Sequence, residues 1–189
     1  MKTLALSLFV AVAAAACSGS TPSTPTTFVV PLVATSTDAN TGSPLSNTHL
    51  TGEHENPANA SQGQGEAILK VSADRLSVSY KLIASNIDNI VQSHIHMGSP
   101  TVNGPIVVFL YGLVPSGGGR HDGVLAEGTF TAANLIGPLQ GHPLSDLLSA
   151  LEAGNTYVNV HTNDGVAPTN TGPGDFPGGE IRGQISAKK

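Results

Sequence analysis

Leu76, Val78, Tyr80 and Leu82 alternate with Ser77, Ser79 and Lys81, a period of two that marks a strand with one face turned to a core. The apolar run Ala67-Ile68-Leu69-Lys70-Val71 precedes it, and Ser72-Ala73-Asp74-Arg75 between the two predicts a hairpin turn. Further strand signals lie at residues 28–34, 49–51, 91–97, 105–111, 124–131, 156–162 and 180–185. Pro31 marks the first of these as an edge strand, because it cannot donate to a ladder. Two segments read as helical. Residues 131–135 form a single turn with Thr131 as N-cap. Residues 143–153 carry Leu144, Leu147, Leu148 and Leu151 on one face, with Pro143 in the first turn and Gly154 at C′. Strands at short spacing divided by Gly, Pro and Asn turns predict an all-β fold. The expected form is an antiparallel β-sandwich, Greek-key-like, with one or two short helices.

The N-terminal pattern differs. A positive Met1-Lys2-Thr3 is followed by an apolar run over residues 4–16, which suits a signal peptide and is too short for the roughly 30 Å of a bilayer core. The run ends Ala14-Ala15-Ala16-Cys17, and Cys17 is the single cysteine of the chain. This arrangement resembles a bacterial lipobox, with Ala14 where such motifs favour Leu. The resemblance implies cleavage before Cys17, a diacylglyceryl thioether on it and an acylated amine. Such acylation anchors a protein stably to a membrane. Ser18, in place of Asp, implies the outer membrane of a Gram-negative envelope. Residues 18–27 are Ser, Thr and Pro with one Gly and no apolar period, so they read as an extended tether. The expected organisation is a lipoprotein signal peptide over 1–16, the lipidated Cys17 and linker over 17–27, and one β domain over 28–189.

Composition narrows the function. The chain of 189 residues carries 22 glycines, 13 prolines and no tryptophan, a turn-rich usage. A net charge of −5 with no basic cluster excludes nucleic acid as a partner. One cysteine excludes an intrachain disulfide, so the core must hold the fold. There is no Gly-X-Ser-X-Gly elbow, P-loop or cysteine nucleophile in a catalytic setting. Glu53 and Glu55 lie in a Pro-Asn loop and read as solvated. No catalytic residue is assigned, and an enzyme is not expected.

Three stretches together resemble the CHRD (chordin) domain. The first is Leu50-Thr51-Gly52-Glu53-His54-Glu55-Asn56-Pro57, followed by Gly63-Gln64-Gly65-Glu66-Ala67. The second is His94-Ile95-His96-Met97-Gly98 with Asn103-Gly104-Pro105-Ile106-Val107-Val108. The third is Tyr157-Val158-Asn159-Val160-His161-Thr162, closed by Pro177-Gly178-Gly179-Glu180-Ile181-Arg182-Gly183-Gln184. Residues 163–176 form a longer insertion than the family usually has there. The resemblance covers roughly residues 45–187. It implies an exported β domain, and a non-enzymatic binding module of the cell envelope whose partner is an envelope or extracellular protein.

The histidines offer a second function. His94 and His96 flank Ile95, so on a strand they share a face with Cα atoms about 6.5–7 Å apart. Tyr157, Asn159 and His161 likewise oppose Val158 and Val160, and Glu180, Arg182 and Gln184 oppose Ile181 and Ile185. If the three strands are neighbours, their polar faces make one cluster. That cluster is either a structural hydrogen-bonded network, the commoner use of such residues, or a metal site. As a metal site it takes copper or zinc on His94, His96 and His161, with Glu180, Arg182 and Asn159 as outer hydrogen-bonding partners. Copper–zinc superoxide dismutases also place a His-X-His pair on a β-sandwich, but this chain lacks their bridging histidine and zinc loop. His49, His54, His121 and His142 fall in loops or at element ends and read as solvated.

Overall fold

The computed structural model describes residues 43–186. The expected signal peptide, Cys17, the expected tether and the strand expected at 28–34 lie outside the described residues. Eight strands follow in order: β1 (Ser43–Thr51), β2 (Gln64–Val71), β3 (Ser77–Asp88), β4 (Ile90–Met97), β5 (Ile106–Gly112), β6 (Arg120–Thr131), β7 (Thr156–Thr162) and β8 (Ile181–Ile185). One α-helix, α1 (Leu144–Glu152), lies between β6 and β7.

The all-β expectation holds, and its arrangement is refined. The strands form one antiparallel sheet in the order β5-β4-β7-β8-β1-β2-β3-β6, rather than two separate facing sheets. The sheet curls until its edges approach: the Tyr80 hydroxyl of β3 donates to the Leu110 carbonyl of β5 at 2.8 Å. Curling brings the two apolar faces of a sandwich together while leaving one nearly closed sheet, which reduces exposed edge. Alternation alone does not distinguish the two arrangements, since both require one inward face per strand.

The hairpin at 72–76 closes as expected. The Ser72 hydroxyl donates to Asp74, and the Asp74 carboxylate accepts from the Leu76 amide. The Thr131 turn is a 3-10 turn over Ala132–Asn134, closed by a reciprocal capping box between Thr131 and Asn134. In α1 the four leucines Leu144, Leu147, Leu148 and Leu151 are all buried and join the same core as Leu50, Leu69, Leu82, Ile95, Val158 and Ile181. Each buried leucine contributes about 1.5–3 kcal/mol of transfer free energy.

Strands β4, β7 and β8 are neighbours, as the polar cluster requires. They are buried on both faces, β7 along its entire length. Ile95, Val158, Val160 and Ile181 face the core. Over the opposite face close three loops, at residues 52–63, 98–105 and 163–180. Asn56 donates to the Thr101 carbonyl, Asn103 donates to the Asn56 carbonyl, and Asn59 donates to the Glu180 carbonyl. These bonds tie the loops to one another and to the start of β8. A polar strand face is thereby kept from water, and every group on it must find a partner or stand unsatisfied.

Candidate metal centre

Cross-strand register sets the cluster. His94 pairs with Asn159, His96 with Tyr157, and Gln92 with His161, so His161 lies one diagonal step from His94. Asn159 in turn pairs with Arg182 and Tyr157 with Gln184. The three imidazoles are buried, with exposures of 0 % for His94, 8 % for His96 and 6 % for His161. One ring nitrogen from each lies within 4.8 Å of the others.

The ring protons can be placed from their partners. His161 Nδ1 is 2.8 Å from the Pro177 carbonyl and His96 Nδ1 is 2.9 Å from the Gly104 carbonyl. A carbonyl only accepts, so each Nδ1 carries the proton and each Nε2 is left with its lone pair. His94 Nδ1 lies 3.1 Å from His161 Nε2, so it donates to that lone pair. The buried Nε2 atoms of His94 and His96 have no hydrogen-bond partner. Burial pushes His94 down to about 3 and His161 down to about 4, and lowers His96 as well, so all three rings are neutral at pH 7. Neutral rings, two of them with tautomers fixed by backbone carbonyls, are what a metal requires of imidazole.

Both anchoring carbonyls come from loops. Gly104 is hemmed in, since a Cβ there would overlap the Met97 carbonyl. Its amide donates to the Tyr157 hydroxyl at 3.2 Å, so Gly104 is held from both sides. Pro177 opens the closing Pro-Gly-Gly-Glu segment, just after the long insertion that follows β7, and its carbonyl is the acceptor that orients His161.

The outer partners divide. Arg182, 1 % exposed, donates to the Ser99 and Val102 carbonyls and to Asn103, and its guanidinium lies 3.3 Å over the Tyr157 ring. The same ring stacks on His96 at 4.8 Å. Arg182 thus touches the trio through Tyr157 and bonds to no histidine. Asn159 lies beside both His96 and Glu55. Glu180 does not reach the rings. Its carboxylate accepts from the Ser61 and Thr162 hydroxyls and from the Gly174 amide, clasping two loops to the sheet. Phe109, from β5, sets its ring edge-on to His94 at 4.5 Å.

Glu55 overturns its reading as a solvated loop residue. It is 8 % exposed, and its Oε1 has no hydrogen-bond partner. Burial raises its carboxyl from an ordinary value to about 7 against the pull of Arg182. Gly179, at φ 134°, makes room for it, because a Cβ there would strike Oε1. The only sequence signal was the loop's place in the CHRD-like pattern, since burial here arises from loop packing and not from periodicity. Glu53 and His54 are exposed as expected, and His142 pairs with Asp146 at the surface. His49 is exposed on β1. A cleft of about 620 Å³ opens between His49, His54, Glu55, Thr101, Arg182 and Gln184, and the trio does not line it.

A family model described as CHRD domain matches residues 46–185. No curated protein and no solved structure was found to match the chain. The matched span runs from β1 through β8 and takes in the His94-X-His96 strand, His161, the Glu55 loop and the closing Gly-Gly-Glu-Ile-Arg segment: the chain belongs to the CHRD domain family.

Proposed function

We propose that this is a binding domain of the bacterial cell envelope whose ligand is a copper or zinc ion held by His94, His96 and His161. The observation that carries the reading is the convergence of three buried, neutral imidazoles, two of them oriented by backbone carbonyls. Ligand nitrogens about 2.0–2.1 Å from one ion stand about 3.3–3.6 Å apart in trigonal or tetrahedral geometry. His94 and His161 are already at 3.1 Å. His94 Nδ1 would be freed as a ligand by moving its proton to Nε2, a tautomer change that leaves the ring neutral. Titrating copper and zinc into the metal-free protein tests this. Wild type is expected to bind one equivalent, the His94→Gln/His96→Gln double variant none, and His121→Gln as wild type. Equal uptake by wild type and the double variant rules out the trio.

The second reading is a non-enzymatic module for an envelope or extracellular protein. The cleft between the Glu55 loop and β8 favours it, since it is roomy, of mixed polar and apolar lining, and apart from the trio. Both readings share an address, outer-membrane attachment through lipid on Cys17, supported by the lone cysteine after Ala14-Ala15-Ala16. Cys17→Ser is expected to move the protein from the detergent phase to the soluble fraction or leave it unprocessed. Unchanged partition and mature mass contradict the anchor.

A further inference from the structure

We propose that the three-histidine site selects a monovalent, three-coordinate ion, copper(I), over divalent zinc or copper(II). The inference rests on the metal-binding reading above and adds to it a charge selectivity.

The ligand set is neutral. Moving an ion out of water carries a free-energy cost that grows with the square of its charge, and neutral imidazoles offset little of it. Closed structural zinc sites commonly meet that cost with thiolates. Here no carboxylate serves the trio. The Glu180 oxygens are taken by Ser61, Thr162 and Gly174. The neighbours of Glu55 are Arg182 and Asn159.

The fixed charge next to the trio is positive. The Arg182 guanidinium lies 3.3 Å over Tyr157, whose ring stacks on His96. Repulsion from this guanidinium acts twice as strongly on a dication as on a monocation. Arg182 cannot swing away, because three loop acceptors hold it.

The site is also walled. His94 is fully buried, Phe109 packs against it at 4.5 Å, and Tyr157 covers His96 at 4.8 Å. Zinc on three histidines keeps a fourth position for water or substrate. Copper(I), with a filled d shell, is satisfied by three nitrogens and needs no such opening.

The test is a competition on the metal-free full chain at pH 7 under anaerobic conditions. Copper(I), copper(II) and zinc(II) are each titrated against a chromophoric chelator of known affinity. Copper(I) is expected to bind at least about 100-fold more tightly than either dication, a gap of about 2.8 kcal/mol. Silver(I), a redox-inert monocation, is expected to block copper(I) uptake. X-ray absorption of the copper(I) form is expected to show three nitrogen neighbours and no fourth ligand. Zinc or copper(II) binding as tightly as copper(I), or a four-coordinate spectrum with bound water, overturns the charge selectivity and leaves metal binding standing. Uptake of none of these ions overturns the metal-binding reading, and this inference with it. Wild type alone decides between these outcomes, so a variant that fails to fold does not obscure them.

Discussion

Burying a carboxylate costs several kcal/mol unless its oxygens find donors, and two glutamates beside this site meet that cost differently. The Glu180 carboxyl oxygens accept from two hydroxyls and one amide. Glu55 leaves Oε1 without a donor, and burial shifts it toward its protonated form. Sequence parity placed His94, His96 and His161 opposite Ile95, Val158 and Val160, which face the core, because side chains alternate along a strand. It could not foresee what Glu180 bonds, since Ser61, Thr162 and Gly174 come from three separate segments. Glu180→Ala leaves those three donors unpaired, and each buried unpaired donor costs about 1–3 kcal/mol. The expected outcome in urea denaturation is a loss of about 3 kcal/mol or more. Copper uptake by the folded fraction is expected to remain at one equivalent, because the carboxylate does not touch a ring. Loss of uptake in folded Glu180→Ala would instead make the loop clasp part of the site.

At the scale of elements, strands were readable where periodicity was strong. The expected strand at 156–162 matches β7 to the residue, and 91–97 falls one residue short of β4. The segment 124–131 starts four residues late against β6, because residues 120–123 carry no apolar signal, yet Arg120, His121 and Gly123 pair with β3 through bulged register. Strand neighbours were not readable, since β4 and β7 meet across some sixty residues of chain and only tertiary packing decides that. The helix was legible from its leucine spacing, and its weight can be measured. Leu147 is fully buried in the core, while Leu76 is 68 % exposed. Leu147→Ala is expected to cost about 2–5 kcal/mol through lost transfer energy and a residual cavity. Leu76→Ala is expected to stay within about 0.5 kcal/mol. Chemical denaturation of both variants checks the contrast, and equal costs would mean that α1 does not close the core.

For the whole molecule, loops at residues 52–63, 98–105 and 163–180 turn one face of the sheet into a second interior, and its titratable groups set a pH dependence of stability. His94, His96 and His161 are all held below the ordinary histidine value, His94 at about 3 and His161 at about 4. The unfolded chain protonates each near 6.5, while the folded chain keeps them neutral. Their contribution is therefore fully present above pH 6.5 and is lost as pH falls toward the folded values. The slope is up to about 1.4 kcal/mol per pH unit for each ring. Glu55 acts in the opposite sense. Its folded value is raised to about 7, so its contribution is present below the ordinary carboxyl range and is lost as pH rises through 7. Three rings outweigh one carboxyl, so the metal-free protein is expected to melt at a lower temperature at pH 5 than at pH 6.5. Glu55→Gln removes the opposing proton. It is expected to steepen the loss between pH 6.5 and 5, and to raise the melting temperature at pH 8, where wild type must bury an ionised carboxylate. Thermal melts of both proteins at pH 5, 6.5 and 8 separate the two effects. A wild-type melting temperature that does not change between pH 6.5 and 5 would mean that the rings take up protons in the folded state, and so are not held neutral by burial.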